Sequence, residues 1–384
     1  MRVALNLEQC LQRPPGGIGR YAAELARVLP TLGAPGEVVV VPFVARHRPA
    51  AVRAVLAERG IAGDAVVLTW PRPVLYEAWN RLGRLGPLRS RHSLALRDVD
   101  VVHAPSVAVP PRGAVPLVVT VHDAAPLRFP ETYPRRGRRF HETGFAAAAA
   151  RADAIVAPSA AAADEVAEFT AIDRDRITPI HHGVDHRRAT DDDVARTRAA
   201  LGLRPDEPYV AWVGTLEPRK DVTTLIAAFG RAVVDRGLPH RLVLVGPPGW
   251  LEGADAAARA AAAFGERVLF TGPVPADTLR SVYAGADVFA LPSRHEGFGM
   301  PVLEAMAQGA AVLASDLPVM HEVGADAVAY APVGDVSAWA ETLGALLDDA
   351  TARATLGAAG VARAAGFTWE ASAAAHLAVY RSVV

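Results

Sequence analysis

The chain has 384 residues, of which 51% are hydrophobic, 21% charged and 6% aromatic; this is the composition of a folded protein with a buried core, and the length divides naturally into two domains of roughly 150 to 200 residues. Forty Lys and Arg against 41 Asp and Glu leave a net charge of -1, too balanced for a protein whose task is coating nucleic acid. Cys10 stands alone and cannot close an internal disulfide, the start MRVALNL has neither a basic leader nor a long apolar stretch, and no run approaches the roughly 20 apolar residues of a membrane span. A cytoplasmic location is therefore expected, with any membrane contact peripheral and on the inner face.

In chain order, short apolar runs predict strands at 3–6, 38–42, 66–69, 99–104, 117–122, 154–158 and 177–180, then at 209–214, 242–246, 268–272, 288–292, 311–315 and 328–331. Helical patterns separate them, as in parallel sheets covered by helices on both faces. The polar stretch HHGVDHRRATDDD, 181–193, reads as the linker between two similar Rossmann-like α/β domains, 1–186 and 187–367. The alanine-rich stretches near 146–150 and 256–263 read as helices. Residues 368–384 read as a terminal helix with Leu377 and Tyr380 on one face, expected to pack back on the first domain. Charge is uneven: 24 Arg against 18 acids in residues 1–187, and 15 Arg with Lys220, the only lysine, against 23 acids in the remainder. An isolated lysine in an arginine-biased chain suggests a place where a compact ammonium serves better than a planar guanidinium.

The segment SRHEGFGMPVLEAMAQG, 293–309, follows a predicted strand, so its first residues form a loop at a strand's carboxyl end, where open α/β sheets hold ligands. Gly297 and Gly299 permit close backbone approach, and Pro301 suits the first turn of a helix running to Gln308. That helix start is suited to an anion. Glu296 and Glu304, seven residues on, are two acceptors able to hold paired sugar or ribose hydroxyls. Taken alone they read rather as a solvated loop charge, Glu296, and a residue complementing the helix dipole, Glu304. The stretch WVGTLEPRKDVTTLI, 212–226, repeats the arrangement: a strand ends at Gly214, and Arg219 and Lys220 stand beside another helix start, with Asp221 placed to cap it.

In these segments the sequence resembles the family 4 glycosyltransferases, retaining enzymes of the two-domain GT-B architecture, and the resemblance covers essentially the whole chain. It implies two Rossmann-like domains facing each other across a cleft, acceptor on the first and nucleotide-sugar donor on the second. It further implies that Arg219 and Lys220 hold the donor diphosphate, that Glu296 reaches the donor sugar, and that Glu304 holds the ribose. Main-chain groups near Phe298, Gly299 and Met300 are implied to lie beside sugar and phosphates, and Gly214 is counted with them among the donor-binding residues. Many members carry Arg after that glycine, whereas this chain has Thr215, which shifts phosphate load onto Arg219 and Lys220.

First-half motifs fit this reading. PPGGIGRY, 14–21, opens a helix after the first strand, and the resemblance puts Gly17 nearest the donor. VVTVHDAAP, 118–126, ends a strand at His122, which the resemblance puts on the donor sugar; a histidine merely held by neighbouring backbone is the alternative. Arg135, Arg136, Arg138 and Arg139, interleaved with aromatics, form either a solvated helix face or a surface for anionic headgroups or an acidic acceptor. His103, His181, His182 and Asp185 lack metal-site spacing, and the DVD and DRD triplets at 98–100 and 173–175 read as turns. Many members have Asn at the position of His182, so its role stays open. Ser159 reads as a helix cap.

The expected activity is retaining transfer of a hexose from a nucleotide sugar, GDP-mannose first and UDP-sugars next, to a glycan, lipid-linked or small-molecule acceptor. No cofactor and no metal is expected, and no nucleic acid partner. Two other readings remain at this level: a nucleotide-sugar epimerase on the same architecture, and a nucleotide-sugar-binding subunit without turnover.

Overall fold

The computed structural model describes residues 1–12, 16–82, 96, 98–249 and 251–384; the first two residues of the PPGGIGRY stretch, Pro14 and Pro15, lie outside them. Among the described residues the strands form two sheets of seven and six. The first comprises β1 (Arg2–Asn6), β2 (Val39–Val44), β3 (Val66–Val67), β4 (Val101–Ala104), β5 (Leu117–Thr120), β6 (Ala154–Ala157) and β7 (Ile177–Pro179), ordered β3-β2-β1-β4-β5-β6-β7. The second comprises β8 (Tyr209–Val213), β9 (Arg241–Val245), β10 (Val268–Gly272), β11 (Val288–Leu291), β12 (Ala311–Ser315) and β13 (Ala329–Ala331), ordered β10-β9-β8-β11-β12-β13. Every pairing is parallel. Strands of this kind are covered on both faces, which is why they are continuous apolar runs: Val3, Ala4 and Leu5 of β1 and Val210, Ala211 and Trp212 of β8 are wholly buried. Each buried Val or Leu contributes roughly 1.5 to 3 kcal/mol.

Contacts divide the chain into a first unit of Met1–Pro130, Arg135–Gly183 and Thr368–Val384, and a second of Glu131–Pro134 and Val184–Phe367. In both sheets the strand order reverses beside the unit's first strand, between β1 and β4 and between β8 and β11. Connections leave these strands toward opposite faces, which opens a crevice at their carboxyl ends. β1, β4, β10, β12 and β13 end where predicted and β2 runs to Val44, whereas β3, β5, β6, β7, β8, β9 and β11 stop one or two residues short, so His122, Gly214, Gly246 and Pro292 already belong to that edge.

Helix starts follow local chemistry. Ser159, Thr190, Asp335, Asp349 and Thr368 each accept a backbone N–H of the turn they open. One of these corrects the sequence reading. The acidic end of the expected linker begins a helix, Asp191–Ala200, because Thr190 and Asp193 form a reciprocal capping box. At the other end of that linker His181 is exposed, but His182 is buried, its ring stacked on Trp369 at 6.0 Å, and a Cβ on Gly183 would meet the Trp369 nitrogen at 2.2 Å.

Candidate active site

In the second unit, β11 runs beside β8 with Val288 opposite Val210 and Phe289 opposite Ala211. Carried forward, this register starts the loops after Gly214 and Pro292 side by side. The Arg294 N–H donates to the Arg219 carbonyl at 2.8 Å and joins them. Pro218–Lys220 form one tight helical turn, which swings both cations of the step back toward the second loop. The Lys220 ammonium reaches Glu296 Oε1 at 2.5 Å, and Ser293 donates to the same oxygen at 2.7 Å. Arg219 Nη2 donates to Glu217 Oε1 at 2.6 Å, and its Nη1 to the His295 carbonyl at 2.6 Å, with Glu296 Oε2 at 3.5 Å.

These four charged side chains are buried, between 2% and 13% exposed, so their charges act in a weakly screened setting where an ion pair at contact is worth several times its value in water. Burial by itself would raise the Glu296 pKa. The Lys220 and Arg219 charges, with the Lys220 and Ser293 hydrogen bonds, outweigh burial and hold it down at about 2. Glu296 is therefore a carboxylate whenever the protein is folded at neutral pH. Asp221 follows in a left-handed conformation, φ 44°, a strained choice for a residue with a Cβ. Its carboxylate takes the hydroxyls of Thr223 and Thr224 at 3.1 and 3.0 Å.

The helix Met300–Gln308 starts at Gly299, whose φ of 88° suits glycine, with proline in its first turn. Phe298 is buried against Phe367, ring centroids 6.1 Å apart. Glu304 lies in the second turn, buried, and accepts from the Tyr283 hydroxyl at 2.8 Å. On the opposite flank the loop after β9 presses against the loop after β8. A Cβ on Gly246, at φ 139°, would stand 1.8 Å from the Gly214 oxygen, and one on Gly253 would stand 2.5 Å from the Leu216 oxygen. Only glycine fits such approaches.

In the first unit the helix Gly17–Val28 starts at the carboxyl edge of β1. Among the described residues no atom lies within 4 Å of the place a Cβ would take on Gly17, so packing there does not demand glycine. His122 is half-buried two residues beyond β5, and its Nε2 lies 2.9 Å from the Pro105 carbonyl. Burial holds its pKa below the ordinary value against the opposing pull of that bond and of Asp123. The ring is neutral at pH 7, and because a carbonyl only accepts, its hydrogen sits on Nε2 and Nδ1 is an acceptor. Arg135, Arg136, Arg138 and Arg139 open the helix Arg135–Arg151; three are exposed, and Arg138 lies 3.3 Å from Glu142.

Two family models match: the one described as Glycosyltransferase Family 4 over residues 15–188, and the one described as Glycosyl transferases group 1 over residues 207–349. The chain belongs to glycosyltransferase family 4. It is 36% identical over 288 residues to a D-inositol 3-phosphate glycosyltransferase of Nocardia farcinica, a match spanning 71% of this chain but only 62% of that relative. It is 28% identical to the O-antigen chain mannosyltransferase B of Escherichia coli over 94% of both chains. Among solved structures, Anabaena HepE in complex with UDP and glucose superposes over 100% of both chains with a TM-score of 0.77 at 18% identity, a likeness of fold: two Rossmann-like domains of the GT-B class.

Within this family 4 chain the sequence motifs fall at carboxyl ends of strands, but several residues around them carried no readable signal. Ser293 and Tyr283 hold the two glutamates, and Glu217 holds Arg219. Gly246 and Gly253 belong to a stretch, GPPGWLEG, whose glycine content was the available clue. Both acidic triplets serve turns: Asp100 accepts the Arg2 N–H, and Asp173 precedes a short helical turn. Ser159 caps its helix at 2.9 Å. Among the described residues no three His, Cys, Asp or Glu side chains gather as a metal site, and no helix is long and apolar enough to cross a membrane.

Proposed function

We propose that the chain transfers a hexose from a nucleotide sugar to a hydroxyl acceptor with retention of anomeric configuration. GDP-mannose is the first candidate donor, and a glycan, lipid-linked or small polyol acceptor the partner. The observation that carries the reading is the convergence of Arg219, Lys220 and Glu296 on one buried point at the carboxyl edge of β8 and β11. Two cations there would neutralise a departing nucleoside diphosphate, at roughly 4 kcal/mol per charge for a separation near 4 Å. Glu296 and Glu304, both acceptors, suit a sugar hydroxyl and a ribose diol. The Nδ1 of His122 is an acceptor for a further sugar hydroxyl, and Gly17 admits the donor closely.

In the proposed reaction the bond from the anomeric carbon to the diphosphate oxygen breaks on the face where the acceptor oxygen bonds to that carbon. The acceptor proton passes to the leaving phosphate oxygen. Charge compensation comes from side chains and helix starts, so neither a metal nor another cofactor is invoked. Mannose as the sugar is supported by the mannosyltransferase name of a relative aligned over nearly its full length; an inositol-phosphate type of acceptor is supported by the name of a relative at higher identity.

A thermal-shift panel of GDP, UDP, ADP and dTDP sugars tests the donor, since only ligands of the native state raise its melting point. Transfer from the stabilising donor should proceed unchanged in EDTA and retain configuration. An inverted product, or no stabilisation by any member of the panel, would sink the proposal.

A further inference from the structure

The first unit contains a buried polar chain that the proposed reaction does not use. The Tyr21 hydroxyl lies 2.6 Å from His376 Nε2 and 2.9 Å from Thr120 Oγ1. Thr120 Oγ1 lies 2.8 Å from His103 Nε2, and His103 Nδ1 lies 2.7 Å from the Tyr380 hydroxyl. None of the five side chains is more than 1% exposed.

One carbonyl orders every proton in it. His376 Nδ1 lies 2.7 Å from the Ser372 carbonyl, which only accepts, so Nδ1 carries the hydrogen and Nε2 of the neutral ring accepts. Tyr21 must then donate to His376, and its oxygen receives the Thr120 hydrogen. Thr120, its hydrogen committed, accepts from His103 Nε2–H. His103 Nδ1 accepts from Tyr380. Reversing one link leaves a buried donor facing a donor or an acceptor facing an acceptor, so a single arrangement satisfies all five groups.

The polar chain ties four elements to one another, two helices and the strands β4 and β5. Tyr380 and His376 belong to the terminal helix Trp369–Val383. Tyr21 is four residues beyond Gly17 in its helix, and its ring stands edge-on to that of His122, centroids 5.4 Å apart at 84°. Thr120 is the last residue of β5, two before His122; His103 is two before Pro105, whose carbonyl holds the His122 ring. We propose that Tyr21, ordered by Thr120, His103, His376 and Tyr380, is a positioning residue that sets the Gly17 helix and the His122 ring for the donor's sugar, a role that rests on the reading of His122 and Gly17 given above.

Two measurements on the full chain test this. Histidine-selective NMR at pH 7 should show His376 with hydrogen on Nδ1 and His103 with hydrogen on Nε2; the opposite tautomer at either ring overturns the ordered chain. Calorimetry should compare GDP with GDP-mannose, or the corresponding pair for whichever donor the parent binds. In Tyr21→Phe, affinity for the diphosphate should stay within twofold of the parent, while the extra affinity conferred by the sugar falls at least fivefold. Loss of both affinities together, or of neither, overturns the positioning role. Should Tyr21→Phe fold poorly, Thr120→Val must reproduce the selective loss and Thr120→Ser must restore it. A parent chain that binds no nucleoside diphosphate removes the functional reading itself and the positioning role with it, whereas normal parent binding with an unchanged Tyr21→Phe ratio removes the positioning role alone.

Discussion

Lys220 and Glu296 lie 76 positions apart in the chain, yet the ammonium of one meets the carboxylate of the other at 2.5 Å. The pair sits where β8 and β11 part, and Ser293 and Arg219 complete its surroundings. A carboxylate buried this deeply is tolerated only while cations face it.

Removing the ammonium should therefore have two separable effects. Lys220→Ala leaves Glu296 with Arg219 at 3.5 Å as its remaining cation and is expected to cost about 3 kcal/mol of stability. The fold should survive, nucleoside diphosphate affinity should fall at least about 100-fold, and turnover should disappear. Lys220→Arg should recover charge but little activity, since a planar fork replaces a point charge. Calorimetric titration with diphosphate and a thermal melt check both parts; unchanged binding in Lys220→Ala would overturn the assignment.

Gly246→Ala probes the loop contact independently. Its methyl would collide with the Gly214 oxygen, and its φ of 139° is foreign to alanine. A destabilisation of about 3 kcal/mol is expected, seen as a melting point lowered by at least about 5 °C. Because the displaced backbone adjoins the Arg219 loop, diphosphate affinity should drop as well. Gly63→Ala, at a positive φ with open space around it, should show the smaller strain cost alone.

Acid should destabilise the protein in a defined window. Burial lowers the His376 pKa from 6.5 to about 4, against the opposing effect of its bond to Ser372. Burial, followed by repulsion from neighbouring imidazoles, also lowers His103 and His182. The unfolded chain takes up these protons first as pH falls, so this stability is complete above about pH 6.5 and is lost on descending toward 4, roughly 3 kcal/mol for His376 alone. Glu296 acts in a lower window, its contribution present above 4.5 and lost toward 2. Chemical denaturation at steps from pH 8 to 4 measures this. A flat profile between 6.5 and 4 would contradict neutral buried histidines, and His376→Gln should flatten the slope.

Thr190→Ala removes the hydroxyl that closes the capping box with Asp193. The expected loss is about 1 kcal/mol, with diphosphate binding unaffected because the helix Asp191–Ala200 holds none of the site's side chains. Denaturant titration of the variant checks the magnitude, and a change below about 0.3 kcal/mol would show the box to be dispensable.

The alternation of apolar runs with helical patterns, together with loops such as EPRK and EGFGMP placed just beyond strand ends, let the sequence by itself determine the α/β class and the stretches that carry candidate chemistry, because period and strand-end position are local properties. The tertiary structure alone decided which loops meet. Sheet order brings β11 against β8, and only then do Lys220 and Glu296 touch, Ser293 and Tyr283 acquire partners, and a threonine that looks unremarkable in sequence begin a helix in an expected linker. The same holds for Tyr21, His103 and His376, which are ordinary residues along the chain. Their proton order exists because three distant segments exclude water around them and leave one arrangement in which every donor finds an acceptor.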